Sequence, residues 1–141
     1  MTTEQLAAAA YQTYTQAGGD PMLCDPEVAF AELNHRHRTA WTPVARWVEE
    51  LDGKATAATQ LAGDLARFFF GWLNGSDELG VLDRKSLKEQ IAWEAVAREL
   101  CRLANADEDD DEAPEAIDWK TWSQQQLQQR GHSAAATLQD A

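Results

Sequence analysis

The sequence of 141 residues has little of what marks secreted, disulfide-stapled or membrane-spanning proteins. Its only cysteines, Cys24 and Cys101, lie far apart and follow no disulfide or metal-binding spacing. The first residues lack the basic and apolar regions of a secretory leader. The longest apolar segment, residues 61–73, is interrupted by two charged residues and is too short to cross a bilayer. We therefore expect a soluble, cytoplasmic protein with reduced thiols and no membrane contact.

Basic residues are also scarce. The chain has 12 lysines and arginines against 24 aspartates and glutamates, which gives a formal net charge of −12. Residues 105–141 alone contain 9 acidic and 2 basic residues, a net charge of −7. This balance disfavours direct binding of nucleic acid, because the phosphate backbone would be repelled. The shift in charge near residue 105 indicates a boundary between a folded body and an acidic tail.

The pattern of apolar residues predicts helices rather than strands. Apolar residues recur at helical spacing, and no stretch of useful length alternates between apolar and polar. We predict an all-α fold, with a single small bundle of about four helices in residues 1–105. An acidic disordered linker is expected in 106–116, and a C-terminal helical segment with a loose tail in 117–141.

Local signals mark the first two helices. Thr2 and Gln5 have capping-box spacing for a helix that ends near Ala17, before two glycines. A second helical region follows, and there Pro43 cannot donate a backbone hydrogen bond. We expect a kink or a short break between Thr39 and Pro43.

Two later helices carry the clearest apolar patterns. The helix predicted for residues 86–105, with Ser86 and Glu89 as its capping box, is apolar on two sides. Such a helix is either central in the domain, which we favour, or shared with a partner in a homo-oligomer. The helix predicted for residues 55–73 has an apolar face that we expect to be buried, consisting of Ala58, Leu61, Ala62, Leu65, Phe68, Phe69 and Trp72.

Aromatic residues provide three candidate contacts with a partner. Phe70 belongs to a run of three phenylalanines, which one helix face cannot bury together. It packs beneath a neighbouring helix or loop, or it belongs to an interface. Trp119 and Trp122 have i, i+3 spacing on a short helix expected to end near Gly131. That helix either folds back on the body or docks into a groove of another protein.

A run of acidic residues precedes this C-terminal helix. Consecutive carboxylates repel each other and cannot pack, so the run is a solvated linker. It is either a plain spacer or a flexible polyanion that binds a basic groove and competes there with nucleic acid. Its members are Asp107, Glu108, Asp109, Asp110, Asp111 and Glu112.

No pattern predicts an active site, a metal site or a cofactor site. His35 and His37 are two positions apart, so their rings diverge on a helix, and Cys24 adds no matching fourth ligand. Neither cysteine has the surroundings of a known nucleophile, and the glycines form no phosphate-binding loop. We expect no catalysis, no cofactor and no metal.

One stretch of core-type residues follows a recurring order. A helix of type L-x4-Y-x2-Y/F precedes a glycine-containing loop with Pro-Met, then an aromatic-x2-Leu step and an Arg-x-Ala-Trp helix. With these residues, the segment 6–51 resembles a helical segment of small bacteriophage proteins, especially of phages that infect actinobacteria. The resemblance implies a phage or prophage origin and no chemistry. The matching residues are Leu6, Tyr11, Tyr14, Gly19, Pro21, Met22, Phe30, Leu33, Arg38, Ala40 and Trp41.

These features together favour a function in protein–protein contact. We expect a small acidic accessory protein that is encoded by a phage and acts in the host cytoplasm. Its expected partner is a protein with a basic surface of the kind that binds nucleic acid. Inhibition of a host or defence factor is one concrete form. The alternative is a virion structural or assembly factor that forms a homo-oligomer through the helix 86–105. An enzyme of unknown type is third.

Overall fold

The fold is all-α, as predicted. The computed structural model describes residues 2–19, 27–33, 35–51, 57–75, 80–104 and 118–139, with the side chains of the last segment described up to residue 130. Within these segments there are five α-helices and no strand. Short 3-10 turns at Phe30–Glu32 and Val81–Arg84 precede the second and fourth helices. The helices are α1 (Thr3–Gln16), α2 (His35–Leu51), α3 (Ala58–Asn74), α4 (Leu87–Ala104) and α5 (Trp119–Gln139).

The two ends of α1 form as the sequence predicts. The Gln5 amide donates to the Thr2 hydroxyl at 3.1 Å, and the Thr2 amide donates to the Gln5 side chain at 2.9 Å. At the other end, Gly18 has a φ of 84°. A Cβ atom at Gly19 would lie 2.3 Å from the Tyr14 ring, so only glycine allows the chain to turn back over this ring.

The second helix runs through its proline without a break. Of the kink or short break expected between Thr39 and Pro43, the break is therefore wrong, and the kink stays a prediction. A proline inside a helix costs about 3 kcal/mol. Ala40, Trp41 and Val44, which flank Pro43, are fully buried, so the packing of one continuous apolar face outweighs that cost.

The buried face of α3 is displaced from the predicted one. Trp72, expected in the core, is 52% exposed, and Phe68 is half-buried against Trp47, with ring centroids 5.1 Å apart. Both residues lie along the edge of the buried stripe, because each residue advances about 100° around the helix. The stripe itself consists of Leu61, Ala62, Leu65, Ala66, Phe69, Phe70 and Leu73.

The fourth helix lies at the centre of the bundle, as favoured from its two apolar sides. It contacts all four other helices, and residues 91–97 are buried without interruption. Its Trp93 joins an aromatic cluster in the core. The Trp41 centroid lies 4.4 Å from that of Phe69 and 5.3 Å from that of Trp93, and the Tyr14 centroid lies 5.3 Å from that of Trp93.

The fifth helix is longer than predicted. It continues past Gly131 to Gln139, so the expectation of a helix end near Gly131 followed by a loose tail is wrong. One glycine inside a helix costs only about 1 kcal/mol. The next residues include three consecutive alanines, the best helix formers, which offset that cost. In the described residues, no helix combines the length and the apolar character needed to span a membrane.

Candidate functional site

Three glutamates of α4 are buried, although carboxylates are rarely found in a core without partners. Each of them forms hydrogen bonds inside the protein. Glu89 accepts from the Tyr14 hydroxyl at 2.5 Å and from the Trp93 indole nitrogen at 3.1 Å. Glu94 and Glu99 instead contact α5, so these two buried carboxylates connect the C-terminal helix to the body.

Glu99 holds the first residue of α5. The Trp119 indole nitrogen donates to Glu99 Oε2 at 2.7 Å, and the Arg102 guanidinium makes an ion pair with the same carboxylate. Trp119 is 3% exposed, so its ring lies in the hydrophobic core. A partner would reach this residue only after α5 had left α4.

Glu94 holds the middle of α5. It makes ion pairs with Arg130 of α5 at 2.7 Å and with Arg98, one turn further along α4, at 3.1 Å. Burial acts to raise the pKa of Glu94. The hydrogen bonds and positive charges of Arg130 and Arg98 outweigh this effect and bring the pKa below its ordinary value.

Trp122 is the second aromatic contact of α5 and is half-buried. Its ring meets that of Trp119 edge-on, with centroids 5.2 Å apart, and the Arg98 guanidinium lies 5.5 Å from its centroid. Both tryptophans thus contribute to the fold-back of α5 on the body, one of the two arrangements considered from the sequence. The structure brings them together with each other and with α4.

Phe70, the third aromatic candidate, lies in a different part of the bundle. It is buried, with Trp93 on one side and the Lys85 ammonium 4.3 Å from its ring centroid. Its position matches the alternative in which it packs beneath a neighbouring segment. The exposed aromatic residue of α3 is Trp72, which the sequence pattern had assigned to the core.

The six acidic candidates Asp107, Glu108, Asp109, Asp110, Asp111 and Glu112 lie outside the described residues, as does the whole predicted linker. The two ends of that segment are described. Ala104 ends α4, and Asp118 caps α5 by accepting from the Thr121 amide at 3.2 Å and from its hydroxyl at 2.7 Å. The hydrogen bonds from Thr121 are the main reason that the pKa of Asp118 lies below its ordinary value.

The basic segment at the start of α2 has a structural contact. The Arg36 guanidinium donates to the Leu73 carbonyl in the last turn of α3, where free carbonyls attract a positive charge. His35 is exposed and His37 is half-buried. The described residues contain no group of three or more side chains placed to hold a metal ion, and Cys24 is not among them.

The described cysteine also lacks the features of a nucleophile. Cys101 is half-buried on α4, and burial raises the pKa of its thiol. Reactive cysteines have a lowered pKa instead, because the thiolate is the attacking form. The structure thus gives Cys101 the environment of a packing residue.

One feature was missed from the sequence: a cavity of about 550 Å³ between α1, α4 and α5. The α5 residues that line it have the spacing i, i+3, i+4, i+7 and are Lys120, Ser123, Gln124 and Leu127. That spacing could have shown that the four share one helix face. It could not have shown that α1 and α4 supply the opposite wall.

Comparisons with protein-family models, with curated proteins and with solved structures give no match.

Proposed function

We propose that this protein acts by binding another protein, and that its acidic segment occupies a basic surface of that partner. In its specific form, the proposal is a phage-encoded accessory protein that inhibits a host or defence factor. The observation that carries it is the charge distribution. Residues 105–141 have a net charge of −7 out of −12 for the chain, and six acidic residues follow one another there.

The attachment of α5 supports this proposal. Because Trp119 packs against Glu99, near the C-terminal end of α4, both ends of the acidic segment start from the same end of the bundle. In this proposal, the charge of the six consecutive acidic residues acts near that end of the bundle. Concentrated charge of one sign speeds association with an oppositely charged partner and repels anionic competitors.

The pairing of the buried carboxylates also supports it. The three buried carboxylates have hydrogen-bond or ion-pair partners inside the protein, so they are not available to another protein. They belong to Glu89, Glu94 and Glu99. The charge available to a partner comes from exposed groups and from the acidic segment. Glu4, Glu32 and Glu50 are such exposed groups on the body, and they are spread over different elements.

The alternative, a homo-oligomeric assembly factor that pairs through residues 86–105, is less well supported. The two apolar sides of α4 face α1, α3 and α5 of the same chain. A second copy would have to displace one or more of these helices to reach them. Light scattering distinguishes the two functions, since a monomer is expected for the free binding protein and a stable oligomer for the assembly factor.

Affinity capture from infected host lysate tests the proposed function. The bait is the full chain, and the comparison is a variant in which the residues from Asp107 to Glu112 are replaced by Asn and Gln. We expect a host protein with a basic surface to bind the full chain and to be lost with the variant. Recovery of the same proteins with both baits would contradict the proposal.

A further inference from the structure

We propose that the cavity between α1, α4 and α5 binds a small aliphatic carboxylate. Its volume of about 550 Å³ lies within the range of about 300–1,000 Å³ that is usual for small-molecule sites. Its walls come from the end of α1, the first turns of α4 and the first half of α5. This site is separate from the acidic contact proposed above.

The floor of the cavity is apolar. Ala17 and Ile91 line it and are nearly inaccessible to solvent. Leu127 lies on its α5 side and is 38% exposed. Among the described residues, Leu127 and Trp72 are the large apolar side chains left most exposed, and Leu127 is the one that borders a cavity of this size. An aliphatic chain in the cavity would cover it and gain the free energy of burying apolar surface.

The charged groups at the cavity are both lysines. Lys88 of α4 and Lys120 of α5 line it, and none of the described lining residues carries a carboxylate. The stem of Lys88 lies over Gly18, where a Cβ atom would come within 2.9 Å of its Cε atom. The chain has twice as many acidic as basic residues. A cavity whose only charged lining groups, among the described residues, are ammonium groups therefore stands out, and it favours an anion.

The combination of an apolar floor and two ammonium groups identifies the ligand class. A purely polar anion would leave Leu127 uncovered, and a neutral hydrocarbon would gain nothing from the two ammonium groups. An aliphatic chain with one terminal carboxylate satisfies both parts of the site. A second copy of this chain is a competing occupant, and light scattering detects it.

Isothermal titration calorimetry with decanoate, below its micelle concentration, tests the proposal. We expect saturable binding with one site per chain. The matched probe is decyltrimethylammonium, which has the same chain and the opposite charge. The net charge of −12 favours this cation over the whole molecule, so a preference for decanoate has to come from the local lysines. Equal or tighter binding of the cation, or no saturable binding of decanoate, would overturn the proposal.

Four variants locate the binding site. Lys88→Gln and Lys120→Gln should each weaken decanoate binding by about two- to fivefold, as expected for exposed charge pairs. Leu127→Glu should abolish it, because a carboxylate would then border the cavity. Lys85→Gln is the control, since Lys85 loses the same charge and does not line this cavity.

The variants also distinguish binding in this cavity from a general effect of charge and from binding elsewhere on the protein. Circular dichroism checks that each variant keeps the helical content of the parent. Equal weakening by Lys85→Gln would mean a general effect of charge, and unchanged binding in Leu127→Glu would mean a different site; both overturn the proposal. A dimer seen by light scattering that dissociates in the Leu127→Glu variant would also overturn the proposal, because a second copy would then occupy the cavity. Capture of a protein partner through the acidic segment should be unaffected by Lys88→Gln.

Discussion

The Trp119 indole nitrogen donates a 2.7 Å hydrogen bond to the buried carboxylate of Glu99, twenty positions earlier in the chain. This bond fixes the start of α5 on the last turns of α4. The Arg102 guanidinium contacts the same carboxylate, so the charge of Glu99 is compensated at a largely buried position. The start of the C-terminal helix is thus attached through one aromatic ring, and the Glu94–Arg130 ion pair attaches its middle.

Trp119→Ala should lower the free energy of unfolding by about 3–5 kcal/mol, the usual cost of removing a buried aromatic side chain. Urea denaturation followed by circular dichroism measures this. Trp72→Ala is the matched control, because Trp72 is half exposed, and it should change the free energy of unfolding by about 0.5 kcal/mol or less. Equal effects of the two substitutions would mean that α5 does not pack as described.

Deletion of residues 106–141 should leave a folded helical body that is several kcal/mol less stable. The deletion uncovers the side of α4 on which Trp119 packs, and it leaves Glu94 and Glu99 without their α5 partners. Thermal and urea unfolding measure the loss. A truncated chain as stable as the full one would show that α5 contributes nothing to the fold.

Acid should weaken the attachment of α5. The pKa of Glu94 is lowered in the folded protein, so its ion pairs stabilise the fold fully above the ordinary pKa of a glutamate. This stabilisation is lost as the pH falls below the ordinary pKa of a glutamate and through the lowered pKa of Glu94. Glu94→Gln should therefore make the free energy of unfolding less dependent on pH between pH 7 and pH 3.

Arg130→Gln provides the companion test of this acid dependence. It removes one of the two charges that lower the pKa of Glu94, so it should also reduce the dependence on pH. Urea denaturation at several pH values measures both variants. If both variants keep the slope of the parent, Glu94 does not control the attachment.

Leu65→Ala and Phe69→Ala should each cost about 2–5 kcal/mol, because both side chains are fully buried on α3. Urea denaturation checks this. The control is Phe68→Ala, at the half-buried edge of the same helix, which should cost less than Phe69→Ala. Neutral results at both buried positions would contradict the assigned core face.

Local chemistry explains why part of this fold could be predicted from sequence. The Thr2 cap involves neighbours in the chain, so its signal is complete in a few residues. The central position of α4 followed from its two apolar sides. The position of Trp72 could not be predicted in the same way, because periodicity defines the width of an apolar stripe less sharply than its existence. At Pro43 the local signal for a helix break is strong, but tertiary packing outweighs it.

The contacts that attach α5 depend on residues far apart in the chain. Trp119 was recognised as a contact residue, and its partner Glu99 was not, because a glutamate on an exposed helix face and a buried, paired one look alike in sequence. Lys88 and Lys120 are likewise separated along the chain and line one cavity only when α5 packs beside α4. Such pairs become visible only once the helix packing is known.

The dependence of partner affinity on salt is the most direct test of the proposed function. The partner captured with the full chain is titrated at low and at high salt, with the parent and with Asp107, Glu108, Asp109 and Asp110 replaced by Asn or Gln. A matched control replaces the exposed Glu4, Glu32, Glu50 and Asp83 of the body in the same way. We expect strong weakening by salt in the parent and in the control, and weaker binding with a clearly smaller salt dependence when these four residues of the acidic segment are neutralised. Unchanged affinity and salt dependence in that variant would mean that the acidic segment is only a spacer, and would contradict the proposed function.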